Sequence, residues 1–219
     1  MRTIFICEYV TGGGYINKKI SKKLFMQANI ILKSLLKDFN KISDLKIIYT
    51  RDYRYKRVRG LKNIKCIFIK KNPWKIWSSL IKNSNFFFPI APESNGELLK
   101  LVKFGNDQKN NLIGSDVIAI KTTSSKYKTY KMLQKCSIPT IPTFKNIKEI
   151  NFNNYNKWVI KPDDGAGCEK NYIFNNKNEI LNFINLNKNY VIQPLVKGKS
   201  YSVNIISNKS RFTILNFNK

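Results

Sequence analysis

Short apolar runs on either side of one long amphipathic segment dominate the start of the chain. Between the first two runs, apolar residues recur at three- and four-residue steps, which predicts a helix over Lys18–Phe39. A strand, a long helix and a second strand form a βαβ unit, which favours a parallel sheet with right-handed crossovers. The face predicted to be buried comprises Ile20, Leu24, Ala28, Ile31, Leu35 and Phe39. The predicted strands are Thr3–Cys7, Leu45–Tyr49, Lys65–Ile69 and Asn85–Ile90.

Two further helices are predicted over Pro73–Asn83 and Gly96–Lys103. In the first of them, Trp74, Trp77, Leu80 and Ile81 share one face. The pattern of strands and helices therefore predicts that residues 1–115 form a small α/β domain of the Rossmann-like type.

The second half of the chain changes to shorter elements. We predict a strand at Val117–Ile120, a loop at Lys121–Ser125 and a helix at Lys126–Cys136. Two prolines in the following SIPTIPTF segment impose an extended path. The later predicted elements are a strand at Lys157–Lys161, the turn PDDGAG, a strand at Asn171–Phe174, a helix at Asn178–Leu186, and strands at Tyr190–Pro194 and Tyr201–Ser207.

The net charge of +27 raises the question of nucleic-acid binding. Most of the basic residues are lysines, spread along the chain with abundant Asn, Ile, Tyr and Phe, the profile that an A+T-rich genome imposes. We therefore predict that nucleic acid is bound only non-specifically, at low salt. One denser cluster, RDYRYKRVRG, either grips an anionic substrate or RNA or forms a solvated loop. Its basic residues are Arg51, Arg54, Lys56, Arg57 and Arg59.

Several classes of protein are excluded by what the sequence lacks. The chain has no histidine, which rules out Ser-His-Asp and Cys-His catalysis. Its four cysteines are scattered with no C-x-x-C pair, and Cys7 and Cys66 are predicted to be small buried apolar residues. No apolar stretch is long enough to span a membrane, and the apolar start predicts the first strand of a cytoplasmic protein rather than a signal peptide.

The segment KPDDGAG combines a lysine at a strand end with two glycines. Lys161 could reach the phosphates of a nucleotide, and Gly165 and Gly167 would let backbone N–H groups approach phosphate oxygens. The segment is not a Walker A loop, because G-x-x-x-x-G-K-[ST] is absent. Taken alone, an ordinary tight turn explains it equally well.

Three segments in order resemble the ATP-grasp superfamily: SSKYKTYKMLQKCSIPTIPT, WVIKPDDGAGCEK and YVIQPLVKGKSYSV. The resemblance implies two α+β subdomains that close on ATP, with residues 116–192 as the first and 193–219 as the hinge and the incomplete start of the second. By the same resemblance, Lys126 and Lys161 are catalytic and contact the phosphates. The remaining implied ATP-binding residues are Gly165, Ala166 and Gly167 of a flexible loop and Gln193, Pro194, Leu195 and Val196 around the adenine.

The N-terminal half resembles one branch of that superfamily more narrowly, the tyramine–glutamate ligase and methanopterin-type cofactor branch. The segments EYVTGGG and IAPESNGELL carry this resemblance, which implies substrate binding by Thr11, Gly12, Gly13, Gly14 and Glu93. The alternative is that the glycines make a strand-to-helix turn and that Glu93 caps a helix. The implied reaction joins a small-molecule carboxylate and an amine through an acylphosphate.

The sequence departs from the family pattern at three places. Ser125 precedes Lys126 where many members carry Asp, and Lys199 and Ser200 follow Gly198 where many carry a ribose-binding acid. The third departure is that the chain stops at Lys219, just after the second subdomain begins. The Mg²⁺ ligands are therefore expected C-terminal to this chain, with a partner chain as one way to complete the second subdomain. Asp163, Asp164 and Glu169 are predicted to stay solvated. The alternatives are a non-catalytic nucleotide-binding protein, half of a split ligase, or a basic nucleic-acid-binding α/β protein.

Overall fold

The computed structural model describes residues 1–108, 111–164, 170–208 and 211–219, and it divides the chain into two compact units. The first unit contains Met1–Thr140 and Pro162–Lys170, and the second contains Ile141–Lys161 and Asn171–Lys219. The strands are β1 Arg2–Glu8, β2 Leu45–Asp52, β3 Ile64–Ile69, β4 Phe86–Ile90, β5 Asn111–Leu112, β6 Trp158–Pro162, β7 Tyr172–Phe174, β8 Tyr190–Pro194, β9 Ser202–Asn208 and β10 Arg211–Asn218. The helices are α1 Lys22–Phe39, α2 Pro73–Lys82, α3 Glu97–Asp107, α4 Val117–Thr123, α5 Lys126–Lys135 and α6 Lys177–Leu186.

The first unit is built on a five-stranded parallel sheet in the order β3-β2-β1-β4-β5. Its central strand β1 is buried on both faces, as parallel strands with helices on both sides usually are. Ile4 and Ile6 pack with α1 on one face, whereas Phe5 and Cys7 pack with α2 and α3 on the other. The α/β fold with a parallel N-terminal sheet, predicted from the βαβ pattern, is confirmed.

The first long helix differs from its prediction in start and in buried face. It begins at Lys22, because the Ser21 hydroxyl accepts a hydrogen bond from the Leu24 N–H at 3.2 Å and caps the helix. Ala28, Leu32 and Leu36 form its buried stripe, at four-residue spacing. The predicted burial of Ile31 is wrong, since this side chain is exposed.

The strand predicted at Val117–Ile120 is wrong, because these residues begin helix α4 and the predicted loop after them is largely helical. Asp116 precedes the helix, and its carboxylate accepts a hydrogen bond from the Ala119 N–H at 2.7 Å. Of the four apolar residues, only Ile120 is fully buried, which suits one face of a helix. The strands β5 and β10 were not predicted.

The second unit contains a three-stranded sheet in the order β7-β6-β8 and a separate β9–β10 hairpin. Trp158 and Ile160 from β6, Ile180 from α6 and Ile192 from β8 form its core. Both hairpin strands are exposed along their whole length. Across the described part of the chain, no helix combines the length and the apolar character that crossing a membrane requires.

Candidate functional site

The glycine segment and Glu93 follow neighbouring strands of the first unit. β1 and β4 are paired in parallel, with Glu8 opposite Ile90 at their carboxyl ends. Successive strands run outward from β1 through β2 to β3, whereas β4 and β5 lie on the other side of β1, so the strand order reverses between β1 and β4. Open α/β sheets bind ligands in the crevice at such a point. The structure therefore places the two predicted substrate-binding segments at the same edge of the sheet.

The glycines of this segment lie in a tight π-helical turn, Val10–Gly14, packed against its surroundings. Gly13 has φ of +118°, a conformation that side chains disfavour, and a Cβ there would lie 3.0 Å from Ile69. At Gly12 a Cβ would lie 2.9 Å from the Thr50 hydroxyl oxygen. At Gly14 it would lie 2.5 Å from the Tyr9 ring. The packing of the turn thus accounts for the three glycines, and substrate contact by them stays a prediction.

A buried network of hydrogen bonds fixes the start of the glycine turn. The Glu8 carboxylate is 2% exposed and accepts hydrogen bonds from the Val10 N–H at 3.0 Å, the Thr11 N–H at 2.7 Å and the Thr11 hydroxyl at 2.6 Å. The Thr11 hydroxyl also accepts from Arg51 Nη1 at 2.8 Å. Burial raises the pKa of Glu8 above its ordinary value, partly offset by these hydrogen bonds. The Thr11 hydroxyl therefore already has hydrogen-bond partners within the protein, Glu8 and Arg51.

Arg51 belongs to the basic cluster, for which the sequence left two alternatives: binding of an anionic substrate or RNA, or a solvated loop. Neither alternative holds for Arg51. Its side chain is 3% exposed and donates to Thr11, to Asn29 Oδ1 at 2.7 Å and to the Lys56 carbonyl at 3.1 Å. Burial lowers the pKa of the Arg51 guanidinium. Arg54 also has a partner, since it pairs with the buried Asp52 carboxylate at 2.6 Å. The cluster separates because β2 extends to Asp52 and carries Arg51 into the core.

Glu93 remains exposed and makes no capping hydrogen bond with its side chain. Glu93 does occupy the N-cap position of a short 3₁₀ helix, Ser94–Gly96, as the alternative predicts, but its carboxylate forms no capping hydrogen bond there. It lines a cavity of about 120 Å³ together with Pro89, Leu98, Ser115 and Thr123. A carboxylate beside two hydroxyl-bearing residues provides acceptors suited to an ammonium group.

Lys126 begins helix α5, and Asp163 holds that end of the helix. The Ser125 hydroxyl accepts from the Lys128 N–H at 3.1 Å and donates to the Asp163 carboxylate at 3.0 and 2.9 Å. Asp163 also accepts from the Tyr127 N–H at 2.9 Å. The prediction that Asp163 stays solvated is wrong, because it is 6% exposed and fully engaged in ordering the helix start, whereas Asp164 is exposed as predicted.

The Lys126 ammonium donates to the Pro162 carbonyl at 2.7 Å. This bond places the amine at the start of the KPDDGAG segment, at the carbonyl that follows Lys161 in the chain. Lys161 itself is half-buried near the end of β6 in the second unit. Gly165, Ala166 and Gly167, predicted as the phosphate loop, and Glu169 lie outside the described residues.

The segment predicted to surround adenine continues from strand β8. Gln193 Nε2 donates to the Thr143 hydroxyl at 2.8 Å, and the Leu195 N–H donates to the Lys157 carbonyl at 2.9 Å. Pro194 is buried, whereas Val196 is 57% exposed. These contacts order the segment on the sheet of the second unit, and its role in adenine binding stays a prediction.

The described residues contain no group of three or more His, Cys, Asp or Glu side chains positioned to hold a metal ion. Mg²⁺ prefers several oxygen ligands in octahedral geometry, usually including carboxylates. The residues that the structure describes therefore do not fit a Mg²⁺ site.

Two family models match the chain in succession. Residues 45–120 match the pre ATP-grasp 3 domain, and residues 123–219 match the ATP-grasp domain. Together the two matches cover most of the sequence, with the pre ATP-grasp domain preceding the ATP-grasp domain.

Two curated relatives are tyramine–L-glutamate ligases. The protein from Methanocaldococcus jannaschii is 25% identical over 95% of this chain and 60% of its own length. The protein from Methanocaldococcus fervens is 27% identical over 96% of this chain and 64% of its own length. The chain thus spans about three-fifths of the length of the curated relatives it matches.

Solved structures show the same fold. A protein of Archaeoglobus fulgidus described as an ATP-grasp superfamily member superposes with a TM-score of 0.69 at 16% identity, covering 99% of this chain and 60% of the other. D-alanyl-alanine synthetase A of Vibrio cholerae superposes with a TM-score of 0.62 at 13% identity, covering 99% of this chain and 66% of the other.

Proposed function

The chain belongs to the ATP-grasp family, and on that basis we propose that it binds ATP and serves an ATP-dependent ligase that joins a carboxylate to an amine. The observation that supports this most directly is the 2.7 Å hydrogen bond from Lys126 Nζ to the Pro162 carbonyl. It brings a cation to the start of the segment that contains Lys161 and the glycines.

In this proposal Lys126 and Lys161 hold the phosphates of ATP, Gly165, Ala166 and Gly167 approach them through backbone N–H groups, and Gln193 to Val196 line the adenine. Bound ATP supplies the phosphoryl group that activates a substrate carboxylate as an acylphosphate, with ADP as the leaving group. An amine then attacks the acyl carbon and displaces phosphate, which forms the amide. The lysines neutralise phosphate charge, and the Lys126 ammonium is positioned before reaction because the start of its helix is fixed by Asp163.

The Lys126 ammonium must exchange the Pro162 carbonyl for a phosphate oxygen when ATP binds. A carbonyl carries only a partial negative charge, so a phosphate oxygen is the stronger acceptor for an ammonium group. The contact to Pro162 thus keeps the ammonium close to its proposed site at a low energetic cost of release.

For the carboxylate and amine substrates we propose the crevice at the β1–β4 edge. The two curated relatives are named for tyramine and L-glutamate, and we extend that substrate class, an amino acid and an aromatic amine, to this chain. Glu93 provides an exposed carboxylate for an ammonium group, and the backbone of Gly12–Gly14 lies beside the neighbouring strand end.

We retain three regions as part of the proposal: residues 1–115 as the pre-ATP-grasp domain, 116–192 as the first ATP-grasp subdomain, and 193–219 as the hinge and start of the second. Because the chain spans about three-fifths of its curated relatives, we propose that Mg²⁺ ligands come from further sequence or from a partner chain. We place the reaction in the cytoplasm.

The test is ADP release from ATP in the presence of L-glutamate and tyramine, with each omitted in turn, by this chain together with the further sequence or partner chain that supplies the Mg²⁺ ligands. We expect release that needs both substrates and that Lys126→Ala abolishes, with Lys177→Ala as the matched control. ATP binding without any substrate-dependent release would contradict the ligase function and leave a nucleotide-binding protein.

A further inference from the structure

A basic loop between β2 and β3 of the first unit is fixed at its centre by buried groups. Arg51 Nε donates to the Lys56 carbonyl at 3.1 Å, and the Val58 N–H donates to the Tyr49 hydroxyl at 2.9 Å. Val58 packs against the hydrophobic core beneath it. Burial raises the pKa of Tyr49 to about 12, so its hydroxyl stays protonated at neutral pH. The neighbouring side chains of the loop are thus presented from an ordered backbone.

The loop separates two depressions that carry the same charge. One, of about 570 Å³, is lined by Arg57, Arg59 and Lys65, together with Tyr49 and Phe68. The other, of about 420 Å³, is lined by the α1 lysines and by the loop. We call this surface the basic cleft and define it by Lys33, Lys37, Lys56, Arg57, Arg59, Lys65 and Phe68, all of them exposed.

Among the residues that the structure describes, the cations of the basic cleft have no carboxylate partner. Among the described residues, Arg2, Lys41 and Arg54 each pair with an aspartate, whereas no acidic side chain pairs with a basic-cleft residue. Six like charges on one small surface repel one another unless an anion neutralises them. The other arginines of the same segment, Arg51 and Arg54, each have buried polar partners, so the lack of partners is specific to the exposed part of the loop.

An aromatic ring accompanies these charges. Phe68 lies on the edge strand β3 and is 45% exposed. Cys66, two residues earlier on the same strand, is partly buried. Cations that track a phosphate backbone beside an exposed aromatic ring form the usual arrangement for binding single strands, because every base can stack on a ring. Two adjoining depressions with a ridge of arginines between them suit a chain of phosphates rather than a single phosphate.

We propose that the basic cleft binds single-stranded nucleic acid without sequence preference, through phosphate contacts to its cations and base stacking on Phe68. This function is separate from ATP binding and does not depend on it. The proposal places the affinity for nucleic acid on one surface. The overall charge of +27 alone would instead attract nucleic acid to the whole surface of the molecule.

The test compares two triple variants that lose the same charge. Arg57→Gln/Arg59→Gln/Lys65→Gln removes the centre of the basic cleft. Lys103→Gln/Lys121→Gln/Lys135→Gln is the control, with exposed lysines on α3, α4 and α5. Binding of a fluorescent oligouridylate of about 12 nucleotides is followed by anisotropy between about 50 and 200 mM salt.

We expect the first variant to bind at least about tenfold more weakly at physiological salt, with the slope of log K against log salt reduced by about 2. Phe68→Ala should weaken binding about 5- to 100-fold and leave the salt slope unchanged, because stacking releases no counterions. Circular dichroism establishes that each variant is folded, and ATP binding should be the same for all of them.

Equal weakening by the control triple would overturn the proposal, because the affinity would then come from charge spread over the surface. Uridine monophosphate that competes as well as the oligonucleotide, mole for mole, would also overturn it and indicate a mononucleotide pocket. Failure of the ATP-binding experiments would leave the outcome untouched, since the oligonucleotide readout involves neither Lys126 nor Lys161.

Discussion

Ser125 and Asp163, 38 positions apart, are joined by hydrogen bonds from the serine hydroxyl to both carboxylate oxygens at 3.0 and 2.9 Å. The serine hydroxyl simultaneously accepts from the Lys128 N–H, and the carboxylate accepts from the Tyr127 N–H. The pair therefore fixes the first turn of the helix that carries Lys126. A carboxylate at this end is also favourable because the helix dipole is positive there.

Replacing Asp163 should loosen the start of α5. Asp163→Ala leaves the Ser125 hydroxyl and the Tyr127 N–H without their acceptor, which we expect to destabilise the first unit by about 1–3 kcal/mol. Hydrogen exchange of the α5 amides measures this, with faster exchange expected from Tyr127 onward. Asp164→Ala is the matched control, because that carboxylate is exposed and its loss changes the charge equally. Similar exchange in the two variants would show that Asp163 does not order the helix.

The role of Asp163 could not be predicted from the sequence near it. Its neighbours Pro162 and Asp164 indicate a surface turn, and the burial comes from Ser125, which only the folded chain brings near. Ser125 departs from the family's usual Asp, and in the structure it is the N-cap of the helix. Arg51 was misjudged for the same reason, since its partners Thr11 and Asn29 lie on other elements.

The elements were predicted best where the hydrophobic pattern was unambiguous. The four strands of the sheet core and the helix beginning at Pro73 agree with their predictions to within a few residues. Val117–Ile120 failed because four consecutive apolar residues fit a buried strand and a buried helix turn equally well. The carboxylate of Asp116, an N-cap residue type, was the local signal that favoured the helix.

Glu8 should make the stability of the first unit depend on pH. Burial raises its pKa above 4.5, so the folded state holds this proton more tightly than the unfolded state does. Its contribution to the free energy of unfolding is therefore fully present below pH 4.5 and falls as the pH rises through the raised pKa. The difference between wild type and Glu8→Gln in urea unfolding, measured across that range, should change by roughly 1.4 kcal/mol per unit of pKa shift. The control is Glu149→Gln, because Glu149 is exposed. If the difference in unfolding free energy between wild type and Glu8→Gln did not vary with pH, the effect of burial on Glu8 would be contradicted.

The glycine turn should not tolerate a side chain at its centre. Gly13→Ala forces a Cβ into a backbone with φ of +118° and to 3.0 Å from Ile69, and we expect a loss of about 1–3 kcal/mol in the free energy of unfolding. Gly198→Ala is the comparison, since no atom of the described residues lies within 4 Å of a Cβ there. Urea unfolding measures both. A Gly13→Ala variant as stable as Gly198→Ala would mean that the turn opens easily and that the glycines are required for another reason.

The central claim, that Lys126 and Lys161 hold ATP, is tested most directly by calorimetric titration of ATP into the purified chain at physiological salt, with and without Mg²⁺. Lys126→Ala and Lys161→Ala should each weaken binding by roughly 10- to 100-fold, the loss of one charged hydrogen bond to phosphate. Lys177→Ala, at the start of α6 with its ammonium over the Phe152 ring, should bind as wild type does. Binding reduced equally by all three substitutions, or no binding by the wild-type chain, would contradict the claim.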